Sequence, residues 1–269
     1  MFWMDVLIKA YVFLIGLIIG SYLNVLIYRI PLKISTSKGF SFCPKCNHRL
    51  SWLDLFPLFS YVFLGAKCRY CKDSISFRYP AIESLNAVLY FLVYLKFAPD
   101  LTSSTATQFS VLTDMGVVAI YFLIISSLVV LTFIDIDHKI IPDRFHIIIG
   151  ACAIALIFLT NDLTIWERII GFFAISVPIY IIALLTNGMG EGDVKLFAVC
   201  GLLLGWKLIL LTMLIASLIA AVYGLILIVA KKAKGKSEIP FGPFIAFAVT
   251  ICIFVGNDII NLYISFITR

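Results

Sequence analysis

Two aspartates stand at the edges of long hydrophobic runs: Asp135 in Ile134-Asp135-Ile136-Asp137 and Asp193 in Gly190-Glu191-Gly192-Asp193. A carboxylate near hydrocarbon costs roughly 2.5–3.5 kcal/mol on insertion scales, so it is usually kept for ion, proton or catalytic work. Two carboxyl groups close enough to share one proton can divide the labour of peptide hydrolysis. One acts as base on a water and the other as acid to the scissile carbonyl, and the pair titrates as a unit. A membrane-embedded aspartyl protease is the leading reading, with ion or proton transport and plain helix capping as alternatives. Asp193 opens a helix, where the dipole favours an anion, and Asp135 closes one, which makes Asp193 the expected base. Gly188, Gly190 and Gly192 allow an unwound approach to Asp193, leaving backbone groups free to position an extended peptide. Asp137 and Asp143 fit caps, and His138 and His146 fit interfacial polar residues better than metal ligands, since neither has a partner at metal spacing.

A second constellation is Cys43-Pro44-Lys45-Cys46 followed by Cys68-Arg69-Tyr70-Cys71. Two CxxC pairs at this separation resemble a zinc ribbon, in which four thiolates close around a tetrahedral structural ion. Two disulfides or free thiols are the rivals, weakened if the segment lies in a reducing compartment. Cys152, Cys200 and Cys252 lie inside apolar runs and read as small core residues. Between the pairs, the run from Trp52 to Leu64 is too short and too interrupted by proline to cross a membrane. It fits either a small core under the cysteine module or a strip along the membrane surface.

These groups need a scaffold, and the composition names it. The chain of 269 residues is 62% hydrophobic and 13% charged, with a mean hydropathy of +1.07, which is that of an all-α polytopic membrane protein. About eight transmembrane helices are expected, at about 6–28, 80–97, 115–135, 144–160, 166–186, 193–205, 207–230 and 241–265, each near the length needed to span hydrocarbon. The sixth is short; the Gly190 to Asp193 turn opens it and Gly205-Trp206-Lys207 breaks it from the seventh. Lys and Arg concentrate in alternate loops: nine after the first span, then Lys139, Arg144 and Lys195, then Lys231, Lys232, Lys234 and Lys236. The positive-inside rule therefore puts the cysteine loop and both aspartates at the cytoplasmic face and both termini outside, with Ser103 to Thr107 in an external loop. The net charge of +6 follows from that bias and from attraction to anionic membrane lipid, with no need for nucleic acid. The apolar run 6–27 exceeds the core of a signal peptide, so a cleaved signal is not expected.

With these residues assembled, the chain resembles the bacterial type IV prepilin peptidases over nearly its whole length. The likeness runs through Gly20-Ser21-Tyr22-Leu23-Asn24-Val25-Leu26-Ile27-Tyr28-Arg29-Ile30-Pro31 and both CxxC pairs, then Ile75-Ser76-Phe77-Arg78-Tyr79-Pro80-Ala81-Ile82-Glu83. It continues with Asp135 seven residues before Pro142, the GxGD motif with Lys195, and Ile239-Pro240-Phe241-Gly242-Pro243-Phe244. The resemblance implies that Asp135 and Asp193 are the catalytic pair. It implies cleavage after the glycine that ends a basic leader, on prepilins or pseudopilins, followed by methylation of the new N-terminal residue with S-adenosylmethionine. It also implies a first transmembrane helix over 1–28, a cytoplasmic tetracysteine insert over 29–79 associated with methylation, and a transmembrane peptidase core over 80–269. Gly65-Ala66-Lys67-Cys68 departs from the family's Gly-Lys-Cys by one residue, which shifts the approach to the third thiolate. No glycine-rich loop of the strand-to-helix kind marks a nucleotide site, so no residue is assigned to the methyl donor. Glu83, Arg78 and Asn24, near the roots of the insert, are equally caps or anchors. A carboxylate-coupled transporter and a scaffold that docks partners through its metal module are the competing functional classes.

Overall fold

The computed structural model describes residues 2–36, 38–99, 108–186, 190–230 and 239–268. Gly188, the loop with Lys231, Lys232, Lys234 and Lys236, and Ser103 to Thr107 lie outside the described residues. Among those described, the helices are α1 (Phe2–Arg29), α2 (Phe59–Phe63), α3 (Arg78–Phe97), α4 (Gln108–His138), α5 (Asp143–Leu159), α6 (Ile165–Thr186), α7 (Glu191–Val229) and α8 (Gly242–Ile267). Trp52–Leu55 adds one 3-10 turn, and extended pairing among the described residues is limited to two isolated bridges. Among the described residues, five helices are long and apolar enough to cross a membrane: α1, α4, α6, α7 and α8. Gly205 interrupts α7 with φ of 75° and ψ of 172°, so α7 is two helical segments joined at a break. Counted as two, and taken with α3 and α5, it gives the eight predicted segments. The first part of α7, up to Leu204, rises only about 21 Å at 1.5 Å per residue, short of a full crossing.

The chain divides into two compact units, Met1–Val118 and Ala119–Arg269, with the boundary inside α4. In the first, α1 packs on α3, and the sequence spacing that permits it is Gly16 and Gly20, one helical turn apart. A Cβ on Gly16 would stand 2.6 Å from Ala87 Cα, and one on Gly20 would stand 2.7 Å from Glu83 Cα. Small residues thus bring the two backbones together, as in membrane helix pairs generally. Asn86 Nδ2 donates to Gly16 O at 2.8 Å across the seam, and Asn24 Nδ2 donates to Tyr79 O at 3.3 Å.

The second unit is built around α7, which packs against α5, α6 and α8. Gly171 of α6 and Gly201 of α7 lie backbone to backbone, each occupying the space a Cβ of the other would need. Beside them Arg168, buried, directs Nη1 at Leu202 O (3.3 Å) and Leu203 O (3.4 Å). A cation therefore meets the carbonyl end of the first part of α7, where the helix dipole is negative.

The run from Trp52 to Leu64 is not a buried core. Trp52 and Phe63 are 75% and 83% exposed, and Leu53, Phe56, Phe59 and Val62 are exposed with them. The structure favours the second of the two readings, an apolar strip on the outside of the cysteine module.

Candidate active site and metal centre

Asp135 sits in the last turn of α4 and is buried, whereas Asp137, one turn-step on, is exposed. Burial thus separates the two neighbouring acids. Asp135 Oδ2 accepts a hydrogen bond at 2.9 Å from the backbone N–H of Gly242, the first residue of α8. A Cβ there would lie 2.7 Å from that same oxygen, so any other residue would make the carboxylate shift.

Asp193 lies in the first turn of α7, after the N-cap Gly190. The Gly190 backbone amide reaches its carboxylate, and the Asp135 carboxylate is close enough to act on it electrostatically. Asp193 Oδ1 is buried without a hydrogen-bond partner among the described residues. Each acid therefore has one oxygen on a glycine amide. The dipole no longer separates them either, since Asp135 also meets a helix N-terminus, that of α8, which comes from far along the chain.

Ile141 ties the two halves together. Its side chain is 3.0 Å from where a Cβ on Gly242 would stand and 3.1 Å from where one on Gly192 would. The loop between α4 and α5 therefore packs against both Gly242, whose amide holds Asp135, and the turn that carries Asp193. Gly190 is the N-cap of α7, and Gly192 already lies in its first turn, under Ile141.

Two residues read as interfacial or capping do more than that. His146 Nε2 meets Gly192 O at 3.0 Å, and a carbonyl can only accept, so this nitrogen is the donor. Its Nδ1 is buried, 3.6 Å from Asp143 Oδ1. Asp143, first residue of α5, accepts from Lys195 Nζ at 2.8 Å. The signal for this chain of contacts was Lys195 beside the GxGD motif, but its partner stands 52 residues earlier.

In the first unit the Cys43, Cys46, Cys68 and Cys71 sulfurs all lie within 4.8 Å of one another and can hold a metal ion. All four thiols are free, so the disulfide alternative is not the one adopted. The Cys43 and Cys71 sulfurs are 3.9 Å apart, against about 3.8 Å for the edge of a tetrahedron with 2.3 Å metal–sulfur bonds. Each CxxC forms the same turn. Cys43 N donates to His48 O and Asn47 N donates to Cys43 O; Cys68 N donates to Asp73 O and Lys72 N donates to Cys68 O. Asn47 and Lys72 occupy equivalent left-handed positions, with φ of 56° and 62°. The N–H groups of Cys46 and then Lys45 point at the Cys43 sulfur and bring its thiol down to about 7 against the cost of burial, which suits a thiolate ligand. The extra residue before Cys68 is absorbed by consecutive left-handed turns at Gly65 and Ala66, with φ of 59° and 58°.

A bracing contact supports the module. Asp54, nearly enclosed, receives Arg69 Nε at 2.6 Å, Ser51 N at 3.0 Å and Ser51 Oγ at 2.8 Å. Burial opposes its charge, but these donors outweigh it and hold the carboxyl at about 2.

Residues 14–97 match the family model described as Bacterial Peptidase A24 N-terminal domain, and residues 122–225 match the one described as Type IV leader peptidase family. The cysteines fall in the first match and both aspartates in the second. The relatives the chain resembles include several that carry the name prepilin leader peptidase/N-methyltransferase. That of Aeromonas salmonicida (strain A449) is 31% identical over 94% of this chain and 93% of its own. That of Legionella pneumophila is 32% identical over 94% and 93%, and that of Bacillus subtilis (strain 168) is 32% identical over 94% and 96%. No solved structure matches the chain. Matches that follow one another along the sequence, with relatives alike from end to end, settle the classification: the chain belongs to the type IV leader peptidase family.

Proposed function

We propose that the protein is a membrane-embedded aspartyl endopeptidase that removes the leader of type IV prepilins or pseudopilins at the cytoplasmic face of the bacterial inner membrane, and that it then N-methylates the new N-terminal residue. The observation that carries the reading is the meeting of Asp135 and Asp193 in one unit, each with one oxygen held by a glycine amide.

In that arrangement the oxygens left over face a shared water. One carboxylate takes a proton from the water as its oxygen adds to the scissile carbonyl, and the other carboxyl, carrying the shared proton, gives it to the carbonyl oxygen. Collapse of the tetrahedral adduct returns a proton to the leaving amine. The glycine amides keep both carboxylates oriented, which is the positional component of the rate. Gly190 and Gly192 position the substrate backbone beside them.

S-adenosylmethionine, when bound, supplies the methyl group for the second step. That step is assigned to the tetracysteine insert over 29–79, and hydrolysis to the core over 80–269. Zinc is the ion we assign to the four thiolates, in a closed and therefore structural site. The apolar strip from Trp52 to Phe63 rests on membrane lipid, its aromatic residues suited to the interface. The charge bias places both termini outside, and no nucleic-acid partner is invoked.

The test is mass spectrometry of a prepilin incubated with the detergent-purified protein, with and without S-adenosylmethionine. Wild type is expected to release the leader and add one methyl to the product, and Asp135→Asn and Asp193→Asn are each expected to abolish cleavage. Cleavage that survives either substitution would overturn the assignment of the pair. No cleavage of several prepilins by folded protein would favour a transporter or a scaffold.

A further inference from the structure

A methyltransferase needs a donor site, and the aspartate pair does not offer one. Among the described residues the first unit contains a cavity of about 410 Å³ between α1, α3 and the tetracysteine module, within the about 300–1,000 Å³ typical of small-molecule sites. Its walls are largely apolar and aromatic, with Tyr28, Leu50, Tyr61 and Tyr79 among them. Three acids line it: Asp54, Asp73 and Glu83. Asp54 is paired with Arg69 and Asp73 with Lys45. Glu83 is buried, takes the Leu58 N–H on Oε2 at 2.9 Å, and has no lysine or arginine partner among the described residues. Arg29, which also lines the cavity, has its guanidinium taken up by the carbonyls of Ser35, Lys38 and Phe40. A buried carboxylate left without a counter-charge is costly, and a cationic ligand relieves that cost. Tyrosine faces around it suit both a cation and a flat heterocycle.

We propose that this cavity is the S-adenosylmethionine site, with the Glu83 carboxylate facing the sulfonium. The assignment rests on the N-methyltransferase reading and deepens it. Transfer forms an N–C bond from the lone pair of the neutral α-amine of the cleaved pilin. It breaks the methyl C–S bond, whose electron pair stays on sulfur to give S-adenosylhomocysteine, and the resulting secondary ammonium releases one proton to water. The sulfonium charge vanishes along that path. A carboxylate facing it holds the donor in the ground state more than it lowers the barrier, so Glu83 is a binding residue, and its loss acts on donor affinity and not on turnover at saturation.

The discriminating measurement is calorimetric titration of the detergent-purified full chain with S-adenosylmethionine and, separately, with S-adenosylhomocysteine, which lacks the sulfonium. Glu83→Gln keeps an oxygen for Leu58 N–H and removes the charge. It is expected to weaken S-adenosylmethionine about tenfold and S-adenosylhomocysteine less than about threefold, the difference reflecting one charge pair in a partly buried setting. An equal effect on both ligands, or none on S-adenosylmethionine, overturns the proposal. Ultraviolet crosslinking of methyl-labelled donor to wild type, followed by peptide mapping, tests it without a variant. Label is expected on the peptides containing Tyr28, Tyr61 or Tyr79, and label confined elsewhere in a chain that methylates its product overturns the site alone. Wild type that cleaves, yet neither methylates nor binds the donor, overturns the methyltransferase reading itself.

Discussion

The backbone N–H of Gly242 donates to Asp135 Oδ2 at 2.9 Å, across 107 positions of sequence. Two consequences follow from this one bond. It sets an acid at the end of one helix against the N-terminus of another, and it fixes which oxygen of Asp135 the glycine amide occupies.

Gly242→Ala places a methyl group 2.7 Å from that oxygen, so the carboxylate must shift. Displacement of a reacting group by about 1 Å costs on the order of 100-fold, and that is the fall in kcat expected for prepilin cleavage. Initial rates on a saturating prepilin would show it, and a variant within about threefold of wild type would remove Gly242 from the site.

His146 acts on the GxGD turn through one hydrogen bond to Gly192 O. His146→Leu removes the side-chain donor that holds that carbonyl, and a cleavage rate about tenfold lower is expected from the misplaced turn. His146→Gln, which restores an N–H at similar reach, is expected to recover most of the loss. Failure of Gln to recover more than Leu would indicate packing in place of the hydrogen bond.

Metal analysis provides a third check. The purified protein is expected to carry about one tetrahedral ion per chain and Cys68→Ser close to none, because a closed thiolate site needs all four ligands. The serine variant should also become sensitive to proteolysis between residues 40 and 76. Unchanged metal content in Cys68→Ser would refute the site.

Asp54 makes the stability of the module depend on pH. Its carboxyl is held at about 2, against about 3.9 for an ordinary aspartate. Because the folded value is lowered, the contribution is complete above about pH 4 and is lost as pH falls through about 2. With Arg69 44% exposed on its side chain, screening reduces the contribution to about 1–2 kcal/mol. The difference in protease resistance between wild type and Asp54→Asn should be constant near neutral pH and shrink toward zero at about pH 2. A difference that grows on acidification would refute this.

Much of the molecule was legible in the residues before any packing was known. Hydropathy is a local property with a membrane-imposed length, so the eight helical segments could be placed within about four residues, including the break at Gly205 in α7, except that α4 begins at Gln108 and not near 115. The CxxC spacing is local too, and each pair forms its turn from its own backbone bonds. What the sequence did not contain was who meets whom. It ranked Asp193 above Asp135 as base from helix ends alone, yet α8 brings its own N-terminus to Asp135. It left His146 and Asp143 as edge residues, because the Gly192 carbonyl and Lys195 that give them meaning lie 46 and 52 positions away. Glu83 was one ambiguous polar residue near a loop; only the folding of the module against α1 and α3 enclosed it beside two acids that already had partners. Helix, span and turn are determined by neighbours along the chain, whereas a carboxylate's donors and counter-charges are chosen by packing between helices, and that choice is made only in the tertiary structure.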